Sequence, residues 1–125
     1  MVTNIFFYYL VIEFDNKVLI AKRTNKDIWQ SLFQFYLIET QEQQAIDESA
    51  IKKWLKLYFD YNKNFELISI SKNQQQKLTH RTIKGNFIHL KINAEITVEN
   101  YFWIEKAALQ QYSFPKFINA YLCHF

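Results

Sequence analysis

The sequence predicts a single α/β (α+β) domain, a mixed β-sheet sandwich with one long helix and a short C-terminal helix. Three observations carry that reading. Residues 3–14 are apolar on both alternating faces, as in a strand covered on each side. The hydrophobic period then lengthens to three and four residues between Ala45 and Phe59, as in an amphipathic helix. Alternation returns from Phe65 onward, and Pro115 precedes a last apolar stripe.

In the first strand Ile5, Phe7, Tyr9 and Val11 alternate with Phe6, Tyr8, Leu10 and Ile12, which places it centrally. Asp15-Asn16-Lys17 is a turn, and Val18–Lys22 returns as the second arm of a hairpin. Arg23–Asp27 is a polar loop, and the aromatic-rich segment from Trp29 to Ile38 ends in a short strand. Ala45, Ile46, Ala50, Ile51, Trp54, Leu55, Tyr58 and Phe59 form one stripe of a helix over roughly 47–59, with Lys52, Lys53 and Lys56 on its other side. Phe65–Ser71 alternates as a strand. Leu78–Ile92 reads as a hairpin turning at Lys84-Gly85-Asn86, where glycine's free φ is useful. Ile96–Ile104 is a further strand, Glu105–Leu109 a helical turn, and Lys116–Cys123 the last helix. No repeat, linker or low-complexity tract interrupts the chain, so 1–125 is expected to be one domain.

Composition narrows the function classes. The longest apolar run, Ile5–Ile12, is too short to span a bilayer and has no basic flank on its N-terminal side, so neither a membrane span nor a signal peptide is expected. The chain has one cysteine, Cys123, which excludes an internal disulfide and any all-cysteine metal or iron–sulfur site, and a reducing cytoplasm is the default. Cys123 sits among apolar residues and is expected in the core, as are Trp29, Trp54 and Trp103. Net charge is only +3, but no acid occurs between Leu67 and Ala94, where Lys72, Lys77, Arg81, Lys84 and Lys91 lie. Such a segment suits a phosphate-bearing partner, or else a solvated face. With one glycine in 125 residues, a glycine-rich phosphate loop is impossible, and turns must use Asn, Asp, Ser and Lys.

The order strand, hairpin, helix, strands is similar to that of a Nudix-type sandwich. Hydrolysis in that fold needs a helix whose carboxylates hold magnesium on one face. Here Lys52, Lys53 and Lys56 stand in that region, and Glu39, Glu42, Asp47 and Glu48 precede the helix or fill its first turn. No catalytic residue, metal ligand or bound cofactor is therefore expected in this chain. His80, His89 and His124 are too scattered for a zinc site, and no nucleophile-elbow motif occurs.

Three blocks occur in order that together resemble the C-terminal domain of MutY-type A/G-specific adenine DNA glycosylases. They are "KRTNKDIWQSLFQF" (22–35), "QKLTH" (76–80) and "FWIEKAALQQYSFPKFINAYL" (102–122), and the resemblance they mark extends over nearly the whole chain. Ser31 and Tyr36 stand where that family has Gly and Pro, while Gln76 and Leu78 replace a histidine and a phenylalanine of its recognition loop. The resemblance implies a Nudix-like fold without Nudix activity, recognising 8-oxoguanine opposite adenine in double-stranded DNA during base excision repair. It implies that 1–125 is the C-terminal part of a larger bacterial protein acting in the cytoplasm at the nucleoid. The partner domain would be an N-terminal catalytic one carrying the iron–sulfur cluster. Leu78, Thr79 and His80 are then the lesion-recognition loop, and Lys77, Arg81 and Lys84 the contacts to the DNA backbone.

The chemistry is specific. Oxidation turns guanine N7 from an acceptor into a donor, and the Thr79 hydroxyl can accept from it. His80 can bond an exocyclic group or a phosphate. On the residues alone, Thr79 packs as a favoured strand residue or caps a turn, His80 is a surface or turn histidine, and Trp29 either fills the core or braces the basic loop Lys22–Lys26 against DNA. The alternative function is a degenerate Nudix domain that binds a nucleotide or a protein partner without hydrolysis.

Overall fold

The computed structural model of the chain describes residues 3–24, 30–123 and 125. The sequence reading of Trp29, of His124 and of most of the polar loop after Arg23 lies outside those residues. β1 (Thr3–Phe14) is the spine of a mixed sheet, and its two apolar faces feed separate cores. Phe7, Tyr9 and Val11 enter one core, and Tyr8, Leu10 and Ile12 the other. Asp15 and Asn16 both take positive φ, the pairing a tight two-residue hairpin needs, and return the chain into β2 (Lys17–Lys22). After β3 (Phe33–Gln34), β4 (Tyr36–Thr40) pairs antiparallel with the first half of β1.

α1 (Glu48–Phe59) begins at Asp47, whose carboxylate accepts the Ala50 N–H at 2.8 Å, and ends at Asp60 in the left-handed region. Its buried residues Ile51 and Leu55 cover the Tyr8–Leu10–Ile12 face. β5 (Phe65–Ile70) and β6 (Gln74–Lys77) lie end to end along one edge of β7 (Arg81–Ile92), whose other edge pairs parallel with β1 from Thr3–Arg81 to Glu13–Lys91. β8 (Phe102–Glu105) pairs with β2, and a 3₁₀ turn (Lys106–Gln111) leads to α2 (Lys116–Leu122). α2 covers the opposite face with Phe117, Ile118 and Tyr121. The expected mixed-sheet sandwich is thus observed. Among the described residues no helix is long and apolar enough to cross a membrane.

Several expectations are corrected. No hairpin turns at Lys84-Gly85-Asn86; these residues lie inside the continuous strand β7, and Gly85 does not have positive φ. The glycine is there for space, since a Cβ at Gly85 would stand 2.7 Å from Phe117 Cζ. The chain reverses earlier, at Leu78–Arg81. The strand expected over Ile96–Ile104 is confined to β8, because a turn closed by the Tyr101 N–H on the Val98 carbonyl, with Asn100 at φ 69°, breaks it. Cys123 is exposed, because the buried stripe of α2 runs through Phe117, Ile118 and Tyr121 and leaves the helix end facing solvent. Ala45 and Tyr58 of the helical stripe are likewise exposed.

Ser31, where the resembling family has glycine, holds φ at 72°. A left-handed L-residue costs roughly 1–2 kcal/mol, whereas glycine's extra unfolded-state entropy costs only about 0.5–1 kcal/mol. Ser31→Gly is expected to stabilise the domain by up to about 1 kcal/mol, read as a melting temperature raised by about 3 °C.

Candidate nucleic-acid interface

The β6–β7 hairpin positions every lesion-recognition and backbone candidate. Its last ladder pair is Lys77 opposite Thr82, with Gln75 opposite Lys84 further down. Leu78 and Arg81 close the tip, the Leu78 N–H donating to the Arg81 carbonyl at 2.7 Å and the Arg81 N–H to the Leu78 carbonyl at 3.4 Å. That leaves Thr79 and His80 as the two exposed tip residues. Neither has positive φ, so the turn needs no glycine. The Thr3 N–H donates to the His80 carbonyl at 3.1 Å and ties the tip to the start of β1.

The candidates do not play equal parts. Leu78 is half-buried and packs on the α2-side core, so it anchors the loop rather than presenting a reading group. Lys77 and Arg81 are exposed and Lys84 is half-buried. Strand alternation places Lys77 and Lys84 on the α1 face of the hairpin and Arg81 on the α2 face. Gln76, at the departure from the family loop, buries its carboxamide oxygen without a hydrogen-bond partner among the described residues, one ladder step below the tip. In the other basic segment Lys22 is exposed, but Arg23 is buried and its Nη1 donates to Gln34 Oε1.

The helix facing the other core does not offer a magnesium donor set. Asp47 spends a carboxylate oxygen on the helix cap, Glu48 is the acid in the first turn, and the exposed side presents Lys52, Lys53 and Lys56. Glu39 and Glu42 are exposed and lie before the helix. Among the described residues no three His, Cys, Asp or Glu side chains gather as metal ligands. Ammonium groups repel a divalent cation where carboxylates would have to hold it.

Sequence reasoning missed a polar cluster at the far end of β1 and β7. Glu13 is 1% exposed, yet His89 Nε2 lies 2.8 Å from its Oε1, with Lys106 Nζ 3.0 Å and Lys91 Nζ 3.8 Å from its Oε2. The only signal in the sequence was an acid closing an apolar run. Burial pushes the Glu13 carboxyl up, but the bonds from Lys106 and His89 together outweigh it and hold it below its usual 4.5. Burial lowers His89 below 6.5, against the raising effect of Glu13. Glu13 is thus ionised and His89 neutral at pH 7.

Both groups bind protons more weakly in the folded chain than in the unfolded one. The stability from His89 is complete above about pH 6.5 and is lost as pH falls through its lowered folded value; that from Glu13 is lost below about 4.5. Urea unfolding from pH 7.5 to 5 should show falling stability, and His89→Gln should flatten that fall.

The family profile of the NUDIX domain matches residues 7–124. No curated protein matches the chain. Among solved structures, it is similar to the ORF135 protein of E. coli, with a TM-score of 0.68 and 16% identity over 98% of this chain and 91% of that one. It is similar to the MutT protein of Methanosarcina mazei Go1, with a TM-score of 0.69 and 11% identity over 98% and 93%. The C-terminal domain of mouse MUTYH, solved in complex with human PCNA, gives a TM-score of 0.65 and 12% identity over 96% and 88%. These likenesses describe the fold, and the profile match, spanning nearly the whole sequence, shows that the chain belongs to the NUDIX domain family.

Proposed function

We propose that this Nudix domain is a DNA-reading module, the part of a MutY-type adenine glycosylase that recognises 8-oxoguanine opposite adenine. One observation carries the reading: the segment that resembles the family's recognition loop forms a hairpin tip with Thr79 and His80 exposed and with cations on both faces of its stem. A hairpin entering a groove tip-first meets a phosphate wall on each side. Lys77 and Lys84 would meet one wall and Arg81 the other, fixing register, while the Thr79 hydroxyl accepts from the N7–H of the oxidised base. The likeness to the mouse MUTYH domain supports the reading. The adenine-releasing acid and the iron–sulfur cluster would belong to an upstream catalytic domain, and the complex would form at the bacterial nucleoid.

The second reading, a protein-binding Nudix domain, has its support in human PCNA, which the mouse MUTYH domain binds. Salt dependence separates the two. If three cations meet phosphates, Lys77→Ala, Arg81→Ala and Lys84→Ala each flatten the slope of log K against log salt by about 0.9. Unchanged slopes in all three would place DNA elsewhere. Consistent with the lysines on α1, the domain is also expected to release no phosphate from dNTPs or ADP-ribose with magnesium; release above background would overturn a non-hydrolytic role.

A further inference from the structure

The Glu13 cluster borders a cavity of about 520 Å³ lined by Ile68, Ser69, His89, Lys106, Tyr121 and Phe125, with Ala107 at its rim. His89, on its wall, is eight residues along β7 from Arg81, roughly 26 Å from the hairpin tip. We propose that this cavity is a second binding site, taking a small ligand with a flat apolar body and one anionic group, a phosphate or a carboxylate.

Four features of the site agree. Charge is the first: the ammonium groups of Lys91 and Lys106 and the His89 ring all lie against the one carboxylate of Glu13. Lys106, 33% exposed, spends one of its donors on Glu13 and has others to offer a ligand in the cavity it lines. Glu13 is a positioning residue, holding Lys106 and His89 in place at the wall. The second feature is a bulge. Leu67 pairs with Leu90 but Ser69 pairs with His89, so Ile68 is an extra residue in β5. Consecutive residues of a regular strand face opposite sides; the irregularity brings both Ile68 and Ser69 to the cavity. The bulge thereby supplies an apolar contact and a hydroxyl donor together.

The third is an aromatic wall. The Phe125 ring lies 4.8 Å from the His89 ring and 5.8 Å from Tyr121, and forms a platform for a planar group. Burial pushes the Tyr121 hydroxyl up to about 12, so that wall stays uncharged at neutral pH. The fourth is exposed apolar area: Ile68 and Phe125 are each 40% exposed at the mouth.

The test is an amide NMR titration of the domain with phenyl phosphate, benzoate, inorganic phosphate and benzyl alcohol. Phenyl phosphate and benzoate should shift the amides of Ser69, His89 and Ala107 and leave Thr79 and His80 unmoved. Inorganic phosphate and benzyl alcohol, each lacking one half of the recognition, should bind at least tenfold more weakly. Stronger binding of phenyl phosphate than of benzoate would mark phosphate esters as the source of the anion, and the reverse order carboxylates. Lys106→Met should weaken phenyl phosphate at least tenfold. Because Lys106 also pairs with buried Glu13, Ala107→Phe, at an exposed rim position, provides a variant that fills the cavity without touching the cluster. It should abolish the shifts at an unchanged melting temperature. Shifts confined to the hairpin, or phenyl phosphate affinity unchanged in Ala107→Phe, would overturn the proposal.

Discussion

Replacing Gly85 by alanine is expected to destabilise the domain by about 1–2 kcal/mol, and replacing it by valine by about 3 kcal/mol. The added Cβ would meet Phe117 at 2.7 Å and 2.9 Å and the Phe7 carbonyl at 3.4 Å, so a ring or a strand must move. The ring is not free to swing. The Phe117 ring centre lies 5.8 Å from that of Phe87 and 6.3 Å from that of Tyr9, beside a stacked Phe87–Tyr121 pair whose ring centres are 4.3 Å apart. Overpacking of this kind costs roughly 1–3 kcal/mol, whereas the entropy gained by replacing a strand glycine is only about 0.5–1 kcal/mol, so sterics win. Phe117→Leu alone should also destabilise, but the double variant should be less unstable than the sum of the two. Additive losses in urea denaturation would show that Gly85 is not held by that contact.

Thr79→Val should leave stability within about 0.5 kcal/mol, because the side chain is exposed at a hairpin tip closed by Leu78 and Arg81 backbone bonds. Preference for 8-oxoguanine over guanine should nevertheless fall by about 1–3 kcal/mol, the worth of one discriminating base contact. Thr79→Ser keeps the acceptor oxygen and should retain most of the preference. His80→Ala should weaken binding to both duplexes with a smaller loss of discrimination. If Thr79→Val melts the domain while the preference survives, the threonine is a structural residue of the turn.

Much of the fold was legible because hydrophobic period is a direct imprint of packing. Phe7–Tyr9–Val11 against Tyr8–Leu10–Ile12 announced a central strand with a core on each side, and the Ile51–Leu55 spacing announced the helix that covers one of them. Gly85 was misread because glycine has two uses; here it opens space between a strand and α2 rather than supplying an unusual φ. The true reversal was hidden because Thr79 and His80 are not turn formers, and main-chain bonds between Leu78 and Arg81 close it. The scarcity of glycine also concealed left-handed positions, which fall on Asp15, Asn16, Ser31, Asp60 and Asn100. At the candidate site, the sequence showed which residues gather near Thr79, but not that Leu78 turns inward or that Arg81 faces away from Lys77 and Lys84. The Glu13 cluster was invisible because its partners come from β7 and from the 3₁₀ turn far along the chain.

A DNA-reading role requires the hairpin tip to tell an oxidised base from guanine. A fluorescence anisotropy titration of this domain, at one fixed low salt concentration, with otherwise identical duplexes carrying 8-oxoguanine:adenine or guanine:adenine tests it most directly. The expected result is tighter binding to the lesion duplex by about fivefold or more, the lower end of one base-specific contact, with the ratio collapsing toward one in Thr79→Val. Equal affinity for the two duplexes, or a lesion preference that Thr79→Val leaves intact, would contradict it.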